Sequence, residues 1–248
     1  MERTIIKNWS SENVIAGYTT ESGGLFRYMN PQDEKNYEAL ARDFGLRADR
    51  LVRVHEDHTD NIFVAEEGSG GEGIMKNEQT GDYDGITTDA EDIMLCIVTA
   101  DCVPVFLHDP VKNAIALAHS GRVGTGKEIA LKAVLKMTEE FGSDPKNIRC
   151  MLGPYLCKTH HVVHHPDIIL FSEHFSPDER DSFLTVTGDQ IRVDMGRAIA
   201  ISLTRSGVPA ENISDCGICT YEHKELYSWR RDHDPDAHIL SFILMKHT

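Results

Sequence analysis

Residues 92–121 read DIMLCIVTADCVPVFLHDPVKNAIALAHSG. Three short apolar runs, rich in Val, Ile, Leu and Ala, are separated by Thr99–Cys102 and by Asp109–Asn113. Runs of this length without polar alternation are the pattern of strands buried on both faces. Asp109-Pro110 and Lys112-Asn113 supply turn chemistry between the last two runs, which predicts a hairpin. Cys102 and His119 each lie where an apolar run gives way to polar or glycine-rich text.

On the C-terminal side, GKEIALKAVLKMTEEFG (126–142) places Ile129, Ala133, Val134, Met137 and Phe141 on one helical face, with Gly142 as a stop. NIRCMLGPYL then reads as a strand, HPDIILFSEHF as a helix and FLTVTGDQIRVDM as a hairpin. DMGRAIAISLTRSGV reads as a helix closed by Gly207, and the chain ends in an apolar strand. On the N-terminal side, VIAGYTTESGGLFRY suggests a strand, a Gly-Gly turn and an extended piece. DEKNYEALARDFGL has Tyr37, Leu40, Ala41 and Phe44 at helical spacing. RLVRVHEDHTDNIFVAEE alternates as a strand, breaks at Asp57–Asp60 and resumes, and residues 67–85 read as an exposed glycine-rich loop. Strands and helices alternate along the chain without repeat or linker, so the expected class is α/β or α+β, with one domain over residues 1–248.

Forty acidic side chains against twenty-five basic ones give a formal net charge of −15, which disfavours nucleic acid and anionic membrane surfaces as partners. The N-terminal text has no basic start and apolar h-region, and no apolar run approaches a membrane span, so a cytoplasmic protein is expected. In that compartment the six cysteines are free thiols or metal ligands rather than disulfides.

Two imidazoles and a thiolate make a good zinc shell with an open fourth position, and His55, Cys102 and His119 are the candidates, each at the end of a strand-like run. Asp101 stands beside Cys102 as a candidate catalytic carboxylate. GRVGTGK (121–127) matches G-x-x-x-x-G-K between a strand and a helix, but Glu128 occupies the place of the magnesium-binding hydroxyl. A single-phosphate cradle is the surviving version of that match, with a glycine-rich packing turn as its rival. HHVVHH (160–165) and the C-x-x-C of Cys216–Cys219 read as loop histidines and a buried strand end. YSWRRD (227–232) sets Arg230 and Arg231 beside aromatics, where one of them could hold an anion.

TADCVPVFLHD followed by AIALAHSG resembles the laccase-domain, YfiH-like family of purine nucleoside phosphorylases, once described as multicopper polyphenol oxidases. YTTESGG, RVHEDH, YDGITT, LGP and ICT…YSWRRD extend the resemblance over most of the chain. The resemblance implies a four-layer α/β/β/α sandwich and a Zn²⁺ held by His55, Cys102 and His119; one Cys and two His in a zinc-like set are a poor warrant for copper redox chemistry. It implies phosphorolysis of adenosine, inosine or methylthioadenosine with orthophosphate, and deamination of adenosine, by a monomer or homodimer. Asp101 and Arg230 would then act in catalysis, and Ser120, Gly121, Arg122 and Arg231 would meet substrate or phosphate. Several positions depart from the family text. AHSGRVG lacks the Trp of A-H-A-G-W-R-G and places Arg122 one position early, Glu21 replaces an Arg, and Arg53 and Glu56 flank the V-H pair. These departures keep two other readings open, an editing hydrolase of peptidoglycan precursors and a metal-stabilised binding module without catalysis.

Overall fold

The computed structural model describes residues 3–6, 13–27, 30, 32–75 and 82–247. In chain order its first half comprises β1 (Arg3–Ile5), β2 (Val14–Thr19), α1 (Glu34–Asp43), β3 (Leu51–Arg53), β4 (Ile62–Val64), β5 (Gly85–Thr88), β6 (Met94–Thr99), β7 (Val103–Asp109) and β8 (Ala114–Ser120). The second half comprises α2 (Arg122–Gly126), α3 (Ile129–Phe141), β9 (Arg149–Leu152), β10 (Val162–Val163), α4 (Pro177–Phe183), β11 (Leu184–Thr187), β12 (Gln190–Val193), α5 (Met195–Arg205), β13 (Ile213–Asp215), α6 (Trp229–Asp232) and β14 (Ile239–Met245).

The three apolar runs divide between two sheets. β6 lies inside a five-stranded sheet of order β1-β2-β14-β6-β3, while β7 and β8 sit side by side in a six-stranded sheet of order β13-β9-β7-β8-β5-β4. The predicted hairpin is present, with Val103 opposite Ser120 and Asp109 opposite Ala114. Asn113 closes its turn at φ 50.

Side-chain alternation assigns the layers, because successive residues of a strand face opposite ways. Met94, Cys96 and Val98 of β6 and Leu240, Phe242 and Leu244 of β14 pack with Tyr37, Leu40 and Ala41 of α1. Their neighbours Leu95, Ile97, Ile239 and Ile243 face the other sheet and meet Phe106, Ile115, Leu117 and Met151. On the far side of the six-stranded sheet, Ala114, Ala116 and Ala118 lie against Ile129, Ala133, Val134 and Met137 of α3, with Ala198, Ile199 and Leu203 of α5 beside them. The order is helix, sheet, sheet, helix, the four-layer α/β/β/α arrangement expected from the resemblance. Small alanines on β8 let α3 approach closely, and large aliphatics fill the seam between the sheets.

Some local expectations change. GRVGTGK is a short helix rather than an open loop: the Thr125 and Lys127 amides donate to Gly121 and Val123 carbonyls at 2.8 and 2.9 Å. HPDIILFSEHF forms a 3-10 helix over His165–Ser172, and HHVVHH contains the two-residue strand β10. The 67–85 segment is not wholly exposed. The Gly71 amide donates to Leu51 and Glu72 accepts from the Arg53 amide, so it runs along the edge of β3. Its residues 76–81 lie outside those described. Among the described residues no helix is long and apolar enough to cross a membrane.

Candidate metal centre

The chain passes from the five-stranded to the six-stranded sheet twice, between β3 and β4 and between β6 and β7. Each crossing delivers a side chain able to ligate a metal. His58 comes from the first, Cys102 from the second, and His119 from the end of β8; their donor atoms all lie within 4.8 Å of one another. The His58 and His119 rings meet edge to face at 5.2 Å. The structure brings His58, rather than His55, together with Cys102 and His119. His55 is exposed on the wall of the same cleft, outside the cluster.

Asp84, which the residue pattern did not single out, places His58. Its carboxylate is fully buried just before β5 and accepts from the Asp57, His58 and Thr59 amides at 3.2, 3.1 and 2.5 Å and from the Thr59 hydroxyl at 2.9 Å. That set of bonds curls the loop after β3 and holds His58 in a left-handed conformation at φ 57, which costs about 1 kcal/mol and persists only when the surroundings impose it. His55 lies on the cleft wall just after β3, and the Asp84 turn brings the third residue beyond it, His58, up to Cys102 and His119. Oδ1 of Asp84 also bonds His119 Nδ1 at 2.7 Å, which fixes the tautomer and leaves Nε2 for an ion.

The electrostatics match a metal-binding donor set. Burial pushes the Cys102 thiol up, but the adjacent His119 and His58 imidazoles together outweigh it and bring it down to about 6. Burial lowers His119, yet the Cys102 thiolate and the Asp84 carboxylate raise it overall. His58 is raised, chiefly by its hydrogen bond to Cys102. A carboxylate-backed histidine, a thiol poised to ionise and a second histidine fit zinc, with room for a fourth ligand. Gly121 keeps this room open: a Cβ there would lie 2.9 Å from Cys102 Sγ and 3.2 Å from His58 Cδ2.

Two cavities meet at the cluster. The larger, about 570 Å³, is walled by Arg53, His55, Glu56, Trp229 and His238. Arg53 and Glu56 form a buried pair at 3.2 Å, and Glu56 also accepts the Val98 amide at 2.7 Å, so these two departures from the family text brace the wall. The smaller, about 320 Å³, is lined by Asp101, Gly121, Arg122, His161 and Arg230. Trp229 borders both. In the smaller cavity the buried Arg122 Nε and His161 Nδ1 have no hydrogen-bond partner among the described residues. Burial, then Arg230 and Arg122, lower His161 to about 4.

The other expected site residues fall in varied places. Asp101, at φ 85, is a junction: its carboxylate accepts the Thr220 hydroxyl at 2.5 Å and the Arg230 amide at 2.6 Å. The Arg230 guanidinium donates to the His160 and Val162 carbonyls, both at 3.0 Å. Arg122 pairs with Asp167 at 3.2 Å through its terminal nitrogen. Ser120 is fully buried and its hydroxyl bonds Thr125 at 2.8 Å. Arg231 donates to the Thr220 and Tyr221 carbonyls and pairs with Asp232, lining a separate cleft beside Glu21.

The fold and site together are those of an α/β/β/α sandwich with a candidate Cys-His-His metal site at the crossings of its two sheets. The chain belongs to the family described as multi-copper polyphenol oxidoreductase laccase, whose model matches residues 30–246. Purine nucleoside phosphorylase YlmD of Bacillus subtilis is 30% identical over 98% of this chain and 94% of its own length. The mouse purine nucleoside phosphorylase LACC1 is 28% identical over 87% of this chain, which spans 52% of that relative. Among solved structures, Bacillus licheniformis YfiH superposes with a TM-score of 0.88 at 26% identity, covering 99% of this chain and 97% of its own. YlmD from Geobacillus stearothermophilus superposes at 0.86 and 24% identity, covering 95% and 93%, a likeness of fold.

Proposed function

We propose that this protein is a purine nucleoside phosphorylase whose zinc centre is His58, Cys102 and His119. The carrying observation is the placement of that cluster between two cavities, the smaller of which presents Arg122, His161 and Arg230 with two buried nitrogens lacking partners. Such a lobe suits orthophosphate, which offers acceptors to every free N–H. The larger cavity has the volume of a small-ligand site, and Trp229, half exposed at the border, offers an aromatic face to a purine. The relatives' names support the reaction class.

In phosphorolysis a phosphate oxygen bonds to the anomeric carbon as the bond to the purine nitrogen breaks, the pair leaving with the base. Arg122 and His161 would bind and orient the phosphate, turning a bimolecular encounter into a positioned one. Arg230, held by two carbonyls, would keep positive charge beside it. Asp101 would act as a positioning residue by holding the Arg230 backbone. Zinc bound at the cluster would supply a Lewis acid at the junction of the cavities. Adenosine, inosine and methylthioadenosine are the proposed substrates, and adenosine deamination, water replacing the C6 amine, is a second activity of the same centre.

Zinc-loaded protein incubated with each nucleoside, with and without phosphate, should release free base and the pentose 1-phosphate only when phosphate is present. His58→Ala protein should lose that turnover. Base release that ignores phosphate, or turnover confined to a UDP-linked muropeptide or to a phenol with copper-loaded protein, would refute the assignment.

A further inference from the structure

A second cluster lies outside the proposed catalytic cleft. Cys157, His160, Cys219 and Glu222 present Sγ, imidazole nitrogen, Sγ and carboxylate oxygen within 4.8 Å of one another. Tetrahedral bonds of about 2.0–2.3 Å place ligand atoms roughly 3.3–3.8 Å apart, so these donors need move only slightly to close on one ion.

The four residues come from two matching turns. The His160 and His161 amides both donate to the Cys157 carbonyl at 3.0 Å, and the Glu222 and His223 amides donate to the Cys219 carbonyl at 3.2 and 3.1 Å. Each turn thus offers a pair of ligands at C-x-x-H or C-x-x-E spacing, the short bite that zinc knuckles use. The turns are lashed together before any ion is considered. The Cys157 amide donates to Cys219 Sγ at 3.4 Å, the Tyr155 amide to Ile218 at 3.2 Å and the Thr220 amide to Tyr155 at 3.0 Å. The His160 ring stacks on Tyr221 at 4.2 Å, and its Nε2 already faces Glu222 Oε1 at 3.0 Å.

We propose that Cys157, His160, Cys219 and Glu222 form a second, closed metal site of the zinc class that staples the segment after β9 to the segment before α6. Binding displaces the two thiol protons to solvent, and two thiolates, one carboxylate and a neutral imidazole leave a net charge of −1 around Zn²⁺. Four protein ligands leave no position for substrate, so the role is structural. The staple bears on the proposed phosphate lobe: His160 and Val162 carbonyls hold the Arg230 guanidinium, and Thr220, next to Cys219, holds Asp101. The inference stands apart from the phosphorylase assignment, because its readout is metal content.

The test uses the full chain with Cys102→Ala, which removes the thiolate of the first centre. Folded, reduced Cys102→Ala protein should bind Zn²⁺ at the second site, and adding Cys157→Ser should lower the metal content by one ion per chain. With Co²⁺ as probe, Cys102→Ala protein should show the intense tetrahedral and thiolate charge-transfer bands, and the double variant should lose them. Cys219 is buried and its replacement could unfold the chain, so the exposed Glu222→Gln change is the second arm, expected to speed zinc loss to a chelator at least tenfold. Equal metal content with and without Cys157, absence of thiolate bands from Co²⁺-treated, folded Cys102→Ala protein, or a Cys157–Cys219 disulfide in the isolated protein would overturn the proposal.

Discussion

His58 and His55 stand three residues apart in the same polar stretch, and only one has its ring in the cluster with Cys102 and His119. His58→Ala should cost one bound ion per chain, while His55→Ala should keep it, as elemental analysis of the folded variants would show. Asp84 sets both the loop and the His119 tautomer, and Asp84→Asn should weaken zinc affinity by about 10- to 100-fold in chelator competition. Cys102 supplies the pH dependence. Its folded thiol is lowered to about 6, against about 8.5 for an unfolded one. Its stabilising contribution is therefore fully present above ~8.5 and is lost as pH falls through ~6. In metal-free protein, iodoacetamide labelling of Cys102 should rise with a midpoint near pH 6; a midpoint near 8.5 would show that the imidazoles do not act on it.

At the scale of elements, the stretch from Gly121 to Glu128 shows how a motif is overruled by its surroundings. The pattern G-x-x-x-x-G-K allows a phosphate loop, but the amides of Thr125 and Lys127 are consumed within a helical turn. Glu128, in the place of the motif's hydroxyl, starts α3 at φ 61 and locks it to α5: its carboxylate accepts the Ser202 hydroxyl at 3.0 Å, pairs with Arg205 and lies 3.6 Å from His174. Glu128→Ala should destabilise the protein by about 2 kcal/mol, since it leaves Arg205 and Ser202 without that acceptor. Urea denaturation would measure it, and a loss within a few tenths would mean the two helices dock by their apolar faces alone.

For the whole molecule, the seam between the two sheets positions the cluster, because both chain crossings that carry His58 and Cys102 start or end at strands packed across it. Phe106 is fully buried in that seam, and its ring edge fills the space beside Gly153, where a Cβ would approach it to 2.8 Å. Phe106→Ala should cost about 3–5 kcal/mol in equilibrium unfolding. A smaller cost would mean that the sheets collapse onto the cavity, and metal affinity should then fall as the crossings shift.

The amino-acid order by itself determined the three buried strands, the β7–β8 hairpin, the faces and stops of α3 and α5, and the family text that implies the four layers. Periodicity and turn chemistry are local, so they can be read without knowing what packs where. Cys102 and His119 were legible for the same reason, each at the mark where a strand stops. Only the tertiary structure placed His58, and not His55, beside Cys102 and His119, because that placement rests on hydrogen bonds to Asp84 from amides 25 to 27 residues away in the chain. It alone joined Cys157 to Cys219 across 62 residues and separated Arg230 from Arg231, adjacent in sequence but turned to different clefts. Pairings at such separations are set by how the sheets stack and cross, and no local pattern carries that information.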